Sequence, residues 1–319
     1  MRLATIDIGT NSVLLLVTEA SPKGALQVLE QACLITRLGQ GVDRERRLQP
    51  AAIERTLAAL ADYRARLADW RVTRRAAVGT SALRDAANGP EFLGRAAQLL
   101  GCSVEVVSGL REAELVLRGV AGADAPLAPG TLVFDVGGGS TELITVGQDG
   151  AVGQPVSLDL GSVRLTERHL KQDPPAPAEL EALRHDVRQA LAALPTQLPH
   201  PPHRLIGVAG TLTTLAAIEL GLASYDGSRV DGAHLTRGQI QQLARRLAAL
   251  SLAERRRLPG LPAQRADVIV AGAALVDEIM QQLGADAVEV SDRGVRWGLA
   301  RELAATGDPG DPAHGTSSG

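Results

Sequence analysis

The chain has 319 residues, of which 45% are hydrophobic, 22% charged and 2% aromatic, and its formal net charge is −3. This length favours two domains, and the charge excludes a global field that would attract nucleic acid or an acidic membrane surface. No apolar run reaches the ~18 residues that a membrane-spanning helix needs.

The first part of the chain predicts alternating strands and helices. Residues 2–8 and 12–19 are apolar, β-branched runs separated by a short turn, which predicts a strand and its return strand. Pro50 then opens a helix whose apolar face carries Ile53, Leu57, Leu60 and Leu67. The remaining predicted elements are a strand at Ala76–Val78, a helix at Phe92–Leu100, a strand at Val104–Val107 and a helix near Arg111–Val120.

The second part repeats the alternation after residues 121–130, a stretch rich in Ala, Pro and Gly that we interpret as a link. Two strands, Thr131–Phe134 and Thr141–Val146, flank Asp135 and a glycine turn. The later predicted elements are helices near 177–194, 212–221, 236–249, 264–283 and 293–304, and a strand at Ala287–Val290. We therefore predict an α/β protein with lobes at 1–124 and 125–306 and a disordered tail at 307–319.

Two features indicate a cytoplasmic protein. Cys33 and Cys102 stand beside apolar residues and are predicted to be buried free thiols, which suits a reducing compartment. Asp7 interrupts the apolar N-terminal stretch, which argues against a signal peptide.

The first strand and its turn recur later in the chain. Residues 6–12 (IDIGTNS) match residues 134–140 (FDVGGGS) at a constant offset of 128, as in the pair Asp7 and Asp135 (135 − 7). Each copy is a strand that ends in Asp, a turn of small residues, a Ser and a second strand. Two such units at this spacing predict two related lobes that face each other.

The second copy predicts a phosphate site. Successive glycines at 137–139 let backbone N–H groups form an anion nest, and the hydroxyls of Ser140 and Thr141 add donors. Asp135 would repel a phosphate unless a cation lies between them, so phosphate with Mg²⁺ is the simplest interpretation, with Glu142 as a further carboxylate. A solvated glycine-rich turn is the alternative; Thr10, Asn11 and Ser12 at the matching positions of the first copy favour the phosphate site.

Three other segments allow either a binding or a structural interpretation. The turn at Gly210–Thr211 precedes an apolar helix, which fits an anion site or a plain β–α turn. Glu112 and Glu114 open a helix without sharing a face, so at most one is expected in a cleft. The hydroxyl residues and Arg84 within 79–85 fit either a phosphate site or a helix start.

These motifs, in this order, resemble the exopolyphosphatase/guanosine pentaphosphate phosphohydrolase family of the actin–Hsp70–sugar-kinase superfamily. The resemblance runs from about Ala4 to Glu302. The stretches that carry it are IDIGTNSVLLLV, RLGQGVD, GTSALRDAAN, SGLREAELVLRGV, FDVGGGSTEL, LDLGSVRLTERHL, GVAGTLTTLAA, LPGLPAQRADVIVAGA and VSDRGVRWGL.

The resemblance implies two ribonuclease-H-like lobes with an active-site cleft between them, and terminal phosphate release from inorganic polyphosphate with Mg²⁺, or Mn²⁺ in its place. It makes Glu112 the catalytic base, and relatives commonly form dimers. The residues that it assigns to metal are Asp7, Asp135 and Glu142, and those that it assigns to phosphate are Thr10, Asn11, Ser12, Gly137, Gly138, Gly139, Ser140, Gly210 and Thr211. Arg84, Arg265 and Arg293 are expected to contact the rest of the polyanion, because each lies in a family-like motif near a helix start.

The sequence departs from the family pattern at two positions and leaves the substrate open. Leu14 stands where the first motif usually has Arg, and Asp231 where the family usually has His, and both positions bear on the path of the polyanion. Hydrolysis of guanosine pentaphosphate at its 5′ end would use the same centre. A small-molecule kinase and a catalytically inactive nucleotide-binding protein are the alternatives from other classes.

Overall fold

We describe a computed structural model that covers residues 1–21, 24–121, 127–194 and 200–306. Two mixed β-sheets with helices around them form two lobes, so the predicted α/β class is confirmed. The predicted boundary at 124/125 and the tail at 307–319 lie outside the described residues. Among the described residues, none of the helices has the length and apolar character needed to cross a membrane.

The N-terminal lobe is built on a five-stranded sheet with the order β3-β2-β1-β4-β5. Its first strand is central and buried on both faces, which explains its nearly continuous apolar sequence. The second strand returns antiparallel to it and the fourth lies parallel to it. The elements in the N-terminal half of the chain are β1 (Arg2–Ile8), β2 (Ser12–Ala20), β3 (Leu26–Ile35), α1 (Val42–Glu45), α2 (Pro50–Asp69), β4 (Arg74–Gly79), α3 (Ser81–Asp85), α4 (Gly89–Leu100), β5 (Val104–Val106) and α5 (Gly109–Ala121). The last of these, α5, packs against the sheet of the other lobe.

The C-terminal lobe repeats this order in its sheet β10-β11-β9-β6-β7-β8, with one extra edge strand. β6, the counterpart of β1, is again central, with an antiparallel return strand and a parallel neighbour. The elements in the C-terminal half of the chain are β6 (Thr131–Val136), β7 (Thr141–Thr145), β8 (Val156–Leu158), α6 (Ser162–His169), α7 (Pro177–Ala192), β9 (Arg204–Val208), α8 (Ala209–Glu219), α9 (Gly227–Val230), β10 (His234–Thr236), α10 (Arg237–Ala249), α11 (Leu252–Arg255), a 3₁₀ turn (Ala263–Arg265), α12 (Ile269–Gln282), β11 (Ala287–Val290) and α13 (Val295–Ala305). The last of these, α13, packs against β1, β2 and β4 of the N-terminal lobe.

The repeated strand order is that of the ribonuclease-H-like lobe, so the two-lobed, actin-like architecture is confirmed. Helices α5 and α13 pack against each other between the lobes. Glycines allow the close approach, since a Cβ on Gly298 would lie 1.9 Å from the carbonyl oxygen of Leu115 and one on Gly119 would lie 2.4 Å from that of Gly294. The lobes are therefore joined by backbone-to-backbone helix contact.

Sequence reasoning missed several elements. Strand β3 is an edge strand whose faces are mostly half-exposed, so Glu30 and other polar residues interrupt its apolar pattern. Helix α6 has only eight residues, too few for a clear helical period. The short elements β8, β10, α1, α3, α9 and α11 were likewise not predicted.

Candidate active site

A cleft of about 1020 Å³ lies between the lobes. Both glycine-rich turns line it, and so do the turn at the start of α8 and the loop after β4. The carboxyl ends of the two central strands meet here, which is where open α/β sheets place their ligands. Each of the predicted metal and phosphate residues except Glu142 lines this cleft, and so does Glu112.

The two copies of the repeat present different side chains to this region. Asp7 at the end of β1 stands opposite Leu14, and Asp135 at the end of β6 stands opposite Glu142. Leu14 and Glu142 are related by the same offset of 128 (142 − 14). The C-terminal lobe therefore contributes two carboxylates where the N-terminal lobe contributes one.

The first turn of α6 orients the glycine turn at 137–140. The N–H of Ser162 donates to the carbonyl of Gly137 at 3.0 Å, and the N–H of Val163 donates to that of Gly138 at 2.9 Å. In a trans peptide the carbonyl and the next N–H point to opposite sides. The N–H groups of Gly138 and Gly139 therefore point away from α6, as an anion nest at the cleft requires.

The N-terminal turn is oriented in the same way by the loop that follows β3. The carbonyl of Thr10 accepts from the N–H of Gly39 at 2.8 Å, and that of Asn11 accepts from the N–H of Arg37 at 2.9 Å. By the same geometry the N–H groups of Asn11 and Ser12 point away from this loop. Two loops from opposite lobes thus present backbone donors to one cleft.

The third turn adds a strained residue and a cation. Ala209 has φ of 71°, a left-handed conformation that is rare without glycine and clusters at functional sites. Thr211 is buried and donates from Oγ1 to the carbonyl of Val136, which ties α8 to β6. The guanidinium of Arg265 covers Gly210 so closely that a Cβ there would lie 2.0 Å from its Nη1.

Glu112 is the acid that α5 turns inward. It is 7% exposed, whereas Glu114 is exposed and pairs with Arg111, so the expectation of one inward acid holds. The Nη1 of Arg84 donates to Oε2 of Glu112 at 2.6 Å and to the carbonyl of Val107 at 2.9 Å. Burial raises the pKa of Glu112, and Arg84 opposes that rise.

The other three carboxylates also have raised pKa values. Burial, and next the charge of Glu112, raises the pKa of Asp7 from 3.8 to about 7, while Arg296 lowers it. Burial raises the pKa of Asp135, with further contributions from Glu112 and Asp7. The pKa of Glu142 rises for the same first reason, although hydrogen bonds from Ser140 and Ser157 oppose it. Four mutually repelling buried acids form one cluster.

The acid cluster fits a cation whose ligands come partly from carboxylates and partly from the phosphate of a substrate. Oδ1 of Asp7 and Oε2 of Glu142 are buried and accept no hydrogen bond from the described residues. Within the described ranges, however, no group of three or more His, Cys, Asp or Glu side chains is arranged to hold a metal ion. This combination fits Mg²⁺, which commonly takes one or two carboxylates and completes its shell with waters and substrate phosphates.

Two of the three predicted polyanion contacts need correction. Arg84 is committed to Glu112, and Arg293 pairs with Asp231 at 3.1 Å and stacks over Trp297. The arginines that line the cleft in the described part of the chain are Arg55, Arg265 and Arg296. Sequence reasoning missed Arg55 and Arg296, because nothing in their local sequence marks the side of the helix that meets the cleft.

The structure gives Asp231 a structural role and places Cys33 differently from the prediction. Asp231 stands where the family usually has His. Its carboxylate accepts hydrogen bonds from the Oγ of Ser291 and the N–H of Asp292, and so holds the loop before α13. Cys33 is an exposed free thiol at the cleft, because alternation along β3 turns it to that face. The prediction that it is buried is wrong, and Cys102 is half-buried.

Comparisons with known proteins agree on one family. The Ppx/GppA phosphatase family matches residues 16–306. Exopolyphosphatase 2 of Mycobacterium tuberculosis is 36% identical over 319 aligned residues, which cover 95% of this chain and 98% of that protein. A Ppx/GppA family crystal structure from Aquifex aeolicus is 34% identical, covers 97% of this chain and 99% of its own, and has a TM-score of 0.78. An exopolyphosphatase structure from Cytophaga hutchinsonii is 27% identical, covers 98% and 100%, and has a TM-score of 0.86.

Proposed function

The chain belongs to the Ppx/GppA phosphatase family, and on this premise we propose that it is an exopolyphosphatase, which hydrolyses the terminal phosphoanhydride bond of inorganic polyphosphate and releases orthophosphate. The observation that carries the proposal is the pair of oriented backbone turns, at 10–12 and 137–140, that face one cleft from opposite lobes. Two turns this close together would enclose one terminal phosphoryl group, and we infer that the rest of the chain extends out of the cleft on one side only. Cleavage from an end follows from that enclosure.

Glu112 is the general base in this proposal. Arg84 occupies its Oε2, which leaves Oε1 to accept a proton from water. The raised pKa brings the carboxylate closer to the value that suits a base near neutral pH. Water attacks the terminal phosphorus in line, the bridging P–O bond breaks, and the shortened chain leaves with the bonding electrons.

The two turns stabilise the charge that develops on the equatorial oxygens. Their N–H groups are held in place by carbonyl contacts on the far side of each peptide, so they need no reorganisation during the reaction. A divalent cation held by one or two of the carboxylates of Asp7, Asp135 and Glu142, and through water by the rest, would together with phosphate oxygens neutralise further charge. Mg²⁺ is the ion that we assign, with Mn²⁺ as the alternative.

Arg265 is the candidate contact for the remaining chain. It lies on the Gly210 turn at the cleft, 3.7 Å from the thiol of Cys33 on the opposite lobe. A guanidinium in this place meets an anion that extends out from between the turns.

The test is an assay of the pure protein with long-chain polyphosphate and Mg²⁺, with product separation on a gel. Orthophosphate should appear from the first time point while long chains shorten gradually. A ladder of mid-length fragments with little free phosphate would mean internal cleavage and would exclude the exopolyphosphatase. Glu112→Gln serves as the inactive control.

Guanosine pentaphosphate is the second candidate substrate, because the same turns would enclose its 5′-terminal phosphate. Comparing kcat/KM for the two substrates in one buffer decides between them. A kinase of the same superfamily would instead transfer phosphate from ATP to a small acceptor, and phosphate release from polyphosphate without any acceptor would argue against it. We also expect a cytoplasmic homodimer; fractionation of cells and light scattering of the pure protein test the two expectations.

A further inference from the structure

The last carbonyl of the 137–140 turn is held differently from the first two. The carbonyls of Gly137 and Gly138 accept from backbone N–H groups of α6, whereas that of Gly139 accepts from a side chain, the Nε of Arg164, at 2.7 Å. The same peptide plane carries the N–H of Ser140, which points to the opposite side. Arg164 therefore fixes the direction of the last donor in the nest.

Arg164 is itself anchored in the other lobe. Its guanidinium is 5% exposed, and its two terminal nitrogens bind carboxylates of the N-terminal lobe, Nη1 that of Asp43 and Nη2 that of Asp85, the latter at 2.6 Å. One planar group thus has three acceptors, a glycine carbonyl in its own lobe and two acids across the interface. A lysine ammonium cannot match that fork, since it is a point charge on a flexible stem.

The two phosphate turns meet beside this arginine. A Cβ on Gly139 would lie 2.1 Å from the Oγ of Ser81 and 2.9 Å from the Oγ1 of Thr10. Those two hydroxyls are themselves 3.0 Å apart, so the turns touch without room for a larger residue. Any rotation of the Gly139 peptide would change both the direction of the Ser140 N–H and the contact with the opposite turn.

We propose that Arg164 is a positioning residue for phosphate cleavage: it orients the 137–140 turn and, through Asp43 and Asp85, sets that turn at a fixed distance from the 10–12 turn. The expected effect of Arg164 on turnover rests on the proposed function. Its expected effect on orthophosphate binding does not, because binding between the turns depends on the same N–H directions whatever the substrate is.

The test compares Arg164→Lys with Arg168→Lys. Arg168 lies one helical turn further along α6 and shares Asp43 as a partner, through Nε at 2.7 Å, but its other ion pair is with Asp186. Loss of an oriented donor typically costs ~10²–10³-fold in kcat, and a misdirected donor less. We expect Arg164→Lys to lower kcat on polyphosphate roughly 10–10²-fold with KM for long chains within about threefold, since chain contacts outside the turns remain. Arg168→Lys should stay within about twofold in both.

Two further measurements make each outcome decisive. Calorimetric titration with orthophosphate should show about tenfold weaker binding to Arg164→Lys than to Arg168→Lys. This difference in binding is expected even if the wild type proves inactive on polyphosphate. Such inactivity would refute the proposed function but not the positioning role of Arg164. A folded Arg164→Lys whose orthophosphate affinity and kcat match those of Arg168→Lys overturns the positioning role. Should Arg164→Lys not fold, Asp85→Asn, which removes one anchor and keeps the guanidinium, is expected to lower kcat several-fold; unchanged kcat there overturns the proposal equally.

Discussion

Asp7 provides the sharpest test of the buried acid cluster. Burial and Glu112 raise its pKa from 3.8 to about 7, so between these values the folded protein holds a proton that the unfolded chain releases. The free energy of unfolding must then fall as pH rises through this window and level off above about pH 7. Asp7→Asn removes the titration while it keeps the shape of the side chain.

The size of the effect follows from the pKa difference. One pKa unit corresponds to about 1.4 kcal/mol, so the full window corresponds to about 4 kcal/mol, of which about 3 kcal/mol lies above pH 5. We expect the wild type to lose about 3 kcal/mol more stability than Asp7→Asn between pH 5 and pH 8 in the absence of divalent cations. Urea unfolding at the two pH values, with a chelator present, measures this difference.

The control is Asp69→Asn, at an exposed position at the end of α2, which should reproduce the pH dependence of the wild type. Mg²⁺ should stabilise the wild type more at pH 8 than at pH 5, because at pH 8 the carboxyl of Asp7 has lost its proton and is free to bind the cation. Mg²⁺ should stabilise Asp7→Asn less than the wild type. If Asp7→Asn and the wild type lose equal stability between pH 5 and pH 8, Asp7 does not titrate in this range and the interpretation of the cluster is wrong.

Three further outcomes are expected from activity measurements. Glu112→Gln should lower kcat ~10²–10⁴-fold and leave polyphosphate binding nearly intact, as measured by steady-state kinetics and calorimetry; more than half of the wild-type kcat would remove Glu112 from the role of base. Asp135→Ala should raise the Mg²⁺ concentration for half-maximal activity or abolish activity, and an unchanged Mg²⁺ titration would exclude it as a ligand. Arg265→Gln should raise KM for long polyphosphate and weaken the increase of that KM with ionic strength, because one salt-screened contact is lost; an equal salt dependence in variant and wild type would contradict its contact with the chain.

The sequence predicted what local patterns encode. The two strand–turn–strand copies around Asp7 and Asp135 were recognisable because each combines an apolar run, an acid and small residues within a few positions. Because the two copies are related, their first strands, β1 and β6, occupy the same central position in two sheets that have the same strand order. Helical spacing predicted that at most one of Glu112 and Glu114 faces the cleft, and the resemblance to the family selected Glu112.

What the sequence could not predict depends on tertiary contacts. Arg84 was expected to meet the polyanion, yet it pairs with Glu112, 28 residues further along the chain, and no local pattern marks such a pairing. Arg164 reaches Asp43 and Asp85 across the lobe interface for the same reason. The exposure of Cys33 follows from the position of β3 at the sheet edge, which is fixed only when the return strand has paired.

The contact between α13 and the N-terminal sheet has a consequence for synthesis on the ribosome. The Oγ1 of Thr5 donates to the carbonyl of Arg296, 291 residues later, and Leu16 of β2 is covered by Trp297 and Ala300. A nascent chain grows by about 5–20 residues per second, so α13 is synthesised about 15–60 s after the strands that it covers. During that time the apolar residues of β2 are open to chaperones and to neighbouring nascent chains, and an N-terminal half expressed without α13 would keep them exposed.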